Sequence, residues 1–244
     1  MIKAYVKSDI GKVREINQDS FYVSNSLDEV QVYMLADGMG GYKGGEIASR
    51  LAIQSAKNYI ENNFKEIEKD KDSIIKLVGS SMEYANMVVY EKSKESKELA
   101  GMGTTLDICL IYNNRVFIGH VGDSRVYRIR KEFMRKLTQD HSYVQKLVKD
   151  GTITKEEAMH HPQKNMLMKA LGCNAFVEPD VMVKGFLKED ILIMCSDGLT
   201  NLVSQEEIFK EAKKDIEQAP KELVEKANNN GGYDNITVVI IKNI

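Results

Sequence analysis

Apolar positions along this chain follow two rhythms. Short runs rich in β-branched and aromatic residues cover 2–7, 20–25, 30–36, 104–112, 115–121, 125–130, 181–186, 190–195 and 235–241, and Gly, Asn or Asp bounds several of them. Runs of this kind predict strands. Asn113-Asn114 separates two of them and predicts a tight hairpin. Elsewhere the period lengthens. Over 45–62 it places Ala48, Leu51, Ala52, Ala56, Tyr59 and Ile60 on one helical face. Over 73–92 it does the same for Ile74, Leu77, Val78, Met82, Ala85 and Val89, and the charged stretch 66–72 reads as the connector of an antiparallel pair. A second helical pair is predicted over 204–214 and 219–229, where Ser204 followed by Glu207 forms a capping box.

Strands in two groups, with one helix pair after the early strands and another before the last, predict layered packing. The expected class is α+β: a central antiparallel β-sandwich flanked on both faces by helix pairs. The polar segment 142–175, bearing His and Met, reads as short helices inserted between strands. No Gly/Ser or Pro-rich linker and no internal repeat divides the chain, so 1–244 is expected to form one domain.

Composition narrows the function classes. With 43% apolar and 29% charged residues the chain has the balance of a globular protein. Its net charge is −2 and no Lys/Arg cluster stands out, so the electrostatic footprint of a nucleic-acid binder is missing. Cys109, Cys173 and Cys195 are widely spaced and two lie in apolar runs, which predicts buried thiols in a reducing cytoplasm rather than a disulfide framework. The first residues lack the apolar core of a signal peptide, and eighteen apolar residues never run together, so neither export nor a membrane anchor is expected.

The informative feature is where aspartates fall. Asp37-Gly38 ends the run 30–36, Gly122-Asp123 ends 116–121, and Ser196-Asp197-Gly198 ends 191–195; Asp19 precedes Phe21-Tyr22-Val23, and Asp234-Asn235 precedes the last strand. One such pair is ordinary turn chemistry. Five carboxylates at strand rims of one chain are different, because sheets bring strand ends together and crowded like charges call for a cation. An oxygen-only donor set without a Cys/His cluster suits Mg²⁺ or Mn²⁺ and argues against zinc.

At these residues the sequence resembles a known family. Gly11-Lys12-Val13-Arg14-Glu15-Ile16-Asn17-Gln18-Asp19, Asp37-Gly38-Met39-Gly40-Gly41, Gly101-Met102-Gly103-Thr104-Thr105, Gly122-Asp123-Ser124-Arg125, Ser196-Asp197-Gly198 and Asp234-Asn235 match, in order, the signature blocks of the bacterial type 2C metal-dependent Ser/Thr protein phosphatases. The resemblance spans essentially the whole chain. It implies that Asp37 bridges two Mn²⁺ or Mg²⁺ ions with help from the Gly38 carbonyl. It further implies that Asp197 and Asp234 hold the second ion, with Asp19 acting on it directly or through water, and that Asp123 belongs to a third, weaker site. Arg14 is implied to grip the substrate phosphate, and 142–175 to form a flap beside the site. The implied reaction is hydrolysis of phosphoserine and phosphothreonine on other proteins by an ion-activated water, in a monomer that opposes a bacterial Ser/Thr kinase.

Tyr42 stands where many bacterial members carry His. His120, His141, His160 and His161 lack metal-ligand spacing and read as structural, with His141 placed to help shape the site. Cys195 lies in an apolar run with no nearby base, which excludes a cysteine nucleophile. The glycines at 38–45 lack the Gly-Lys-Ser/Thr ending of a nucleotide loop. For Asp123 the plain alternative is a turn aspartate paired with Arg125. Two alternatives to a protein phosphatase share the fold: an inactive phosphoprotein-binding module, which would have shed carboxylates or the arginine, and a hydrolase of small phosphoesters.

Overall fold

The computed structural model describes residues 1–25, 30–41 and 44–244; Tyr42 lies outside the described residues. In chain order come β1 (Ile2–Asp9), β2 (Asp19–Val23), β3 (Gln31–Met39), α1 (Gly44–Asn63) and α2 (Lys71–Ser93). They are followed by β4 (Gly103–Thr104), β5 (Leu106–Tyr112), β6 (Arg115–Val121), β7 (Arg125–Arg130) and β8 (Phe133–Lys136). Next are α3 (Tyr143–Lys149), α4 (Lys155–His160), β9 (Asp180–Gly185), β10 (Ile191–Cys195) and α5 (Asp197–Thr200). The chain closes with α6 (Gln205–Lys214), α7 (Ala219–Asn229) and β11 (Ile236–Asn243).

The strands form two antiparallel sheets, one in the order β1-β11-β10-β7-β8 and the other β2-β3-β5-β6-β9 with β4 beside β3. Period-two alternation explains why they stack. In β3, Tyr33 and Leu35 join the layer between the sheets, while Val32, Met34 and Ala36 pack with α1 and α2. In β10, Leu192 and Met194 face the opposite sheet, while Ile191, Ile193 and Cys195 pack with α6 and α7. Strands covered on both faces read as unbroken apolar runs, the pattern seen in the sequence. The outcome is the expected four-layer sandwich.

Local chemistry sets the joints. Asn113 and Asn114 turn the β5–β6 hairpin at φ 46° and 55°, the left-handed pair a two-residue turn requires. The Asp70 side chain accepts from the amides of Asp72 and Ser73 and starts α2 slightly earlier than the pattern predicts. Ser204 and Glu207 cap α6 reciprocally, as expected.

Two strands escape the sequence pattern. β8 is a short edge strand whose alternation is too brief to register, and β4 is cut from β5 because Thr105 turns aside to bond the end of β3. Among the described residues no helix is long and apolar enough to cross a membrane.

Candidate metal centre

All five rim aspartates gather at one end of the sandwich. Asp19 and Asp37 lie directly opposite each other on β2 and β3, and Asp123 follows β6 in the same sheet. Asp197 follows β10 and Asp234 precedes β11 in the other sheet. The site therefore straddles the seam between the sheets.

Asp19 is the innermost group. Its Oδ2 accepts from the Ser196 hydroxyl at 2.8 Å and the Thr237 hydroxyl at 2.7 Å, both from the opposite sheet. Its Oδ1 is buried without a partner. Burial, reinforced by Asp197 and Asp234, lifts the Asp19 carboxyl to about 7 against the pull of those two hydroxyls. Asp37 is raised well above the carboxylate range by burial and by Asp19, Asp197, Asp123 and Asp234. Burial and Asp234 raise Asp197, while a hydrogen bond from Asn201 opposes the shift. Burial, Asp197 and Asp140 carry Asp123 to about 7. Asp37, Asp123, Asp197 and Asp234 are only half-buried, so they form a pocket with an open mouth rather than a sealed cavity.

The backbone around Asp37 is held rigidly. Its N–H donates to the Thr105 hydroxyl and its carbonyl accepts from the Thr104 hydroxyl and the Thr105 N–H, each at 2.9 Å. Gly38 lets β3 run against α1, since a Cβ there would fall 2.1 Å from the Gly45 carbonyl oxygen. Gly198 allows an equally close approach beside the other sheet, where a Cβ would meet the Asn235 carbonyl oxygen at 2.1 Å.

Arg14 reaches the mouth from the β1–β2 loop. Its guanidinium donates to the Asp234 carboxylate at 2.8 Å, with side-chain exposures of 53% and 36%. Buried Asn235 fastens this loop, accepting from the Gln18 N–H at 2.8 Å and donating to the Ile10 and Ile16 carbonyls at 3.0 Å. Sequence reasoning assigned no role to Asn235, Thr104, Thr105, Ser196 or Thr237. For Ser196 and Asn235 the available signal was their place directly beside the rim aspartates Asp197 and Asp234.

Arg125 forks onto Asp140 at 2.8 to 3.2 Å and not onto Asp123. Burial would raise Asp140, but Arg125 and Lys136 hold it below its ordinary value. His120 is fully buried, 2.6 Å from Asp107. His141 accepts from the Gly122 N–H at 3.1 Å and lies 3.2 Å from Asp180, which ties the start of the 142–175 segment to the turn carrying Asp123. Burial pushes the Cys195 thiol to about 12, unsuited to nucleophilic work.

Divalent cations fit this donor set. The donors are carboxylates, one buried oxygen lacks any partner, and the raised acids mark negative charge the protein alone leaves poorly compensated. Among the described residues no three His, Cys, Asp or Glu side chains already converge as a closed ligand group.

The family model described as Protein phosphatase 2C matches residues 12–231. The serine/threonine phosphatase stp of Listeria innocua is 37% identical over 244 residues, covering 98% of this chain and 95% of that protein. The structure of the S. agalactiae serine/threonine phosphatase superposes with a TM-score of 0.91 at 35% identity, with 100% of each chain covered. The catalytic domain of the serine/threonine protein phosphatase PstP in complex with 2 manganese ions superposes with a TM-score of 0.86 at 32% identity, covering 99% of this chain and 97% of that one.

Proposed function

The chain belongs to the protein phosphatase 2C family, and from that premise we propose how its residues divide the work. It is a metal-dependent protein-serine/threonine phosphatase whose cofactors are two Mn²⁺ or Mg²⁺ ions. Its substrates are phosphorylated proteins. When bound, the ions supply Lewis acidity toward phosphoryl oxygens and a strong oxygen nucleophile at neutral pH.

Asp37, Asp19, Asp197 and Asp234, with the Gly38 carbonyl, would hold the ion pair, and Asp123 a weaker third. The crowded, raised carboxyls carry this reading: four acids at one seam shift upward together because each is desolvated beside others. The Thr104–Thr105 clamp keeps Asp37 in place, so little reorganisation is left for the reaction. Arg14 supplies a permanently charged planar fork at the mouth, suited to phosphate. Its present partner is Asp234, and with that carboxylate engaged in the loaded site the Arg14 guanidinium would be free to turn to substrate phosphate. Asn235 positions it by fixing the loop.

Residues 1–244 would act as one catalytic domain, with 142–175 as a flap, in a cytoplasmic monomer that opposes a Ser/Thr kinase. Near-complete coverage of both this chain and its relatives supports the first part, and the free cysteines agree with a reducing compartment. The test is turnover of a phosphothreonine peptide by wild type and Asp37→Asn, with Mn²⁺ and with chelator. Wild type should require the ion, and Asp37→Asn should lose turnover while keeping its circular dichroism. Near-normal kcat in the variant would reduce Asp37 to a turn former.

A further inference from the structure

A cavity of about 720 Å³ runs from the metal centre to the flap. Asp123 and Asp197 line one side; Val144, Val148, Lys155, Ala158, Met159 and Lys164 line the flap side. That volume suits part of a peptide chain, larger than one phosphorylated side chain needs.

Charge along the wall is uneven. Arg125 and Lys136 also line the cavity, but both are committed to Asp140, Lys136 at 3.0 Å. Lys155 and Lys164 are different: among the described residues neither ammonium group has an ion-pair partner. The neighbouring acid Glu157 does not line the cavity, and its carboxylate is occupied by the Thr154 N–H at 2.7 Å. Lys155 also occupies the first turn of α4, where a cation gains nothing from the helix dipole. With the aspartates neutralised, the flap side would present two unpaired ammonium groups to the cavity that Asp123 and Asp197 also line.

We propose that Lys155 and Lys164 select substrates carrying a second negative side chain, a carboxylate or another phosphate, within a few residues of the phosphoserine or phosphothreonine. The inference rests on the metal-centre reading above. The lysines touch the substrate's flank and not its reacting phosphate, so they act through binding and the gain falls in KM.

The experiment measures kcat/KM for phosphothreonine peptides of neutral flank, with one Glu moved from four residues before to four after, and with a second phosphothreonine in its place. Each value is divided by the same protein's rate on p-nitrophenyl phosphate, which reports the metal centre alone. Wild type should prefer the anionic peptides roughly 3- to 10-fold at low salt, the sum of two exposed charge contacts, and lose most of that in 0.5 M NaCl. Lys155→Ala/Lys164→Ala should abolish the preference, and Lys155→Glu/Lys164→Glu should invert it toward Lys-bearing peptides. A larger gain from phosphate than from Glu assigns doubly phosphorylated segments; equal gains assign acidic segments in general. Equal normalised rates for neutral and anionic peptides in wild type, or a preference that survives both substitutions, overturn the proposal and leave the phosphatase reading standing. Absence of turnover on every substrate at saturating Mn²⁺ overturns both.

Discussion

Replacing Asp19 by Asn in ion-free protein should stabilise the fold at alkaline pH, although Asp19 belongs to the working site. The Asp19 carboxyl lies near 7 in the folded chain against 3.8 for a free aspartate, because burial and the Asp197 and Asp234 charges disfavour its ionised form. A raised folded value means that the native state binds the proton more tightly than the unfolded state. Stability from this group is fully present below about 4 and is lost as the pH rises through about 7. The difference of about 3 pH units corresponds to ~4 kcal/mol, an upper figure because neighbouring acids share the proton. Asn is neutral at every pH and its side-chain oxygen can still accept from Ser196 and Thr237. For a chain of this length each kcal/mol moves Tm by roughly 2–4 °C. With chelator at pH 8 the variant should therefore melt several degrees above wild type, and the difference should shrink toward pH 5. With Mn²⁺ at pH 8 the order should reverse, since the ions stabilise most the protein that keeps all its carboxylates. Thermal melts at four pH values with and without Mn²⁺ decide the matter. Wild-type protein in chelator that is as stable at pH 8 as at pH 6, or a variant that melts no higher at pH 8, would refute the reasoning.

Arg14→Ala should cost roughly 10- to 100-fold in kcat/KM on phosphopeptides, mainly through KM, by removing a charge-assisted contact to phosphate. Its stability should change by less than about 1 kcal/mol, since the Arg14–Asp234 pair is exposed; wild-type kinetics would take Arg14 out of the site. Asp123→Asn should raise the Mn²⁺ concentration needed for full rate without lowering Tm in chelator, because a carboxyl lifted to about 7 by burial costs the ion-free fold stability at pH 8. A lower Tm with an unchanged Mn²⁺ titration would instead make it a turn former.

The strands were legible because β3, β10 and β11 are covered on both faces and so appear as apolar runs with an aspartate at one end or just beyond it. The convergence of those aspartates was legible for a related reason, since strands of one sandwich share their ends. What stacked sheets hide is the partnership across them. Ser196 and Thr237 lie 177 and 218 residues from the Asp19 they hydrogen-bond, and no local pattern marks such a pair. Proximity in sequence also misleads. Arg125 sits two residues from Asp123, yet its guanidinium turns to Asp140 because that carboxylate is buried beside it and Lys136 reaches it too. β8 stayed invisible because four residues at a sheet edge need neither alternation nor apolarity.

The position of β11 has a bearing on biosynthesis. It is the last strand in chain order but lies inside its sheet, hydrogen-bonded to β1 on one side and β10 on the other. It also follows Asp234 directly and supplies Thr237, one of the two hydroxyls that hold Asp19. A chain still emerging from the ribosome lacks the strand that joins the first-made part of this sheet to the later part, and with it the residues that close the pocket. Domains generally fold as units during synthesis, and this one needs β11 before its pocket is complete. A chain made only as far as α7 therefore holds Asp19, Asp37, Asp123 and Asp197 but lacks Asp234 and the Thr237 hydroxyl.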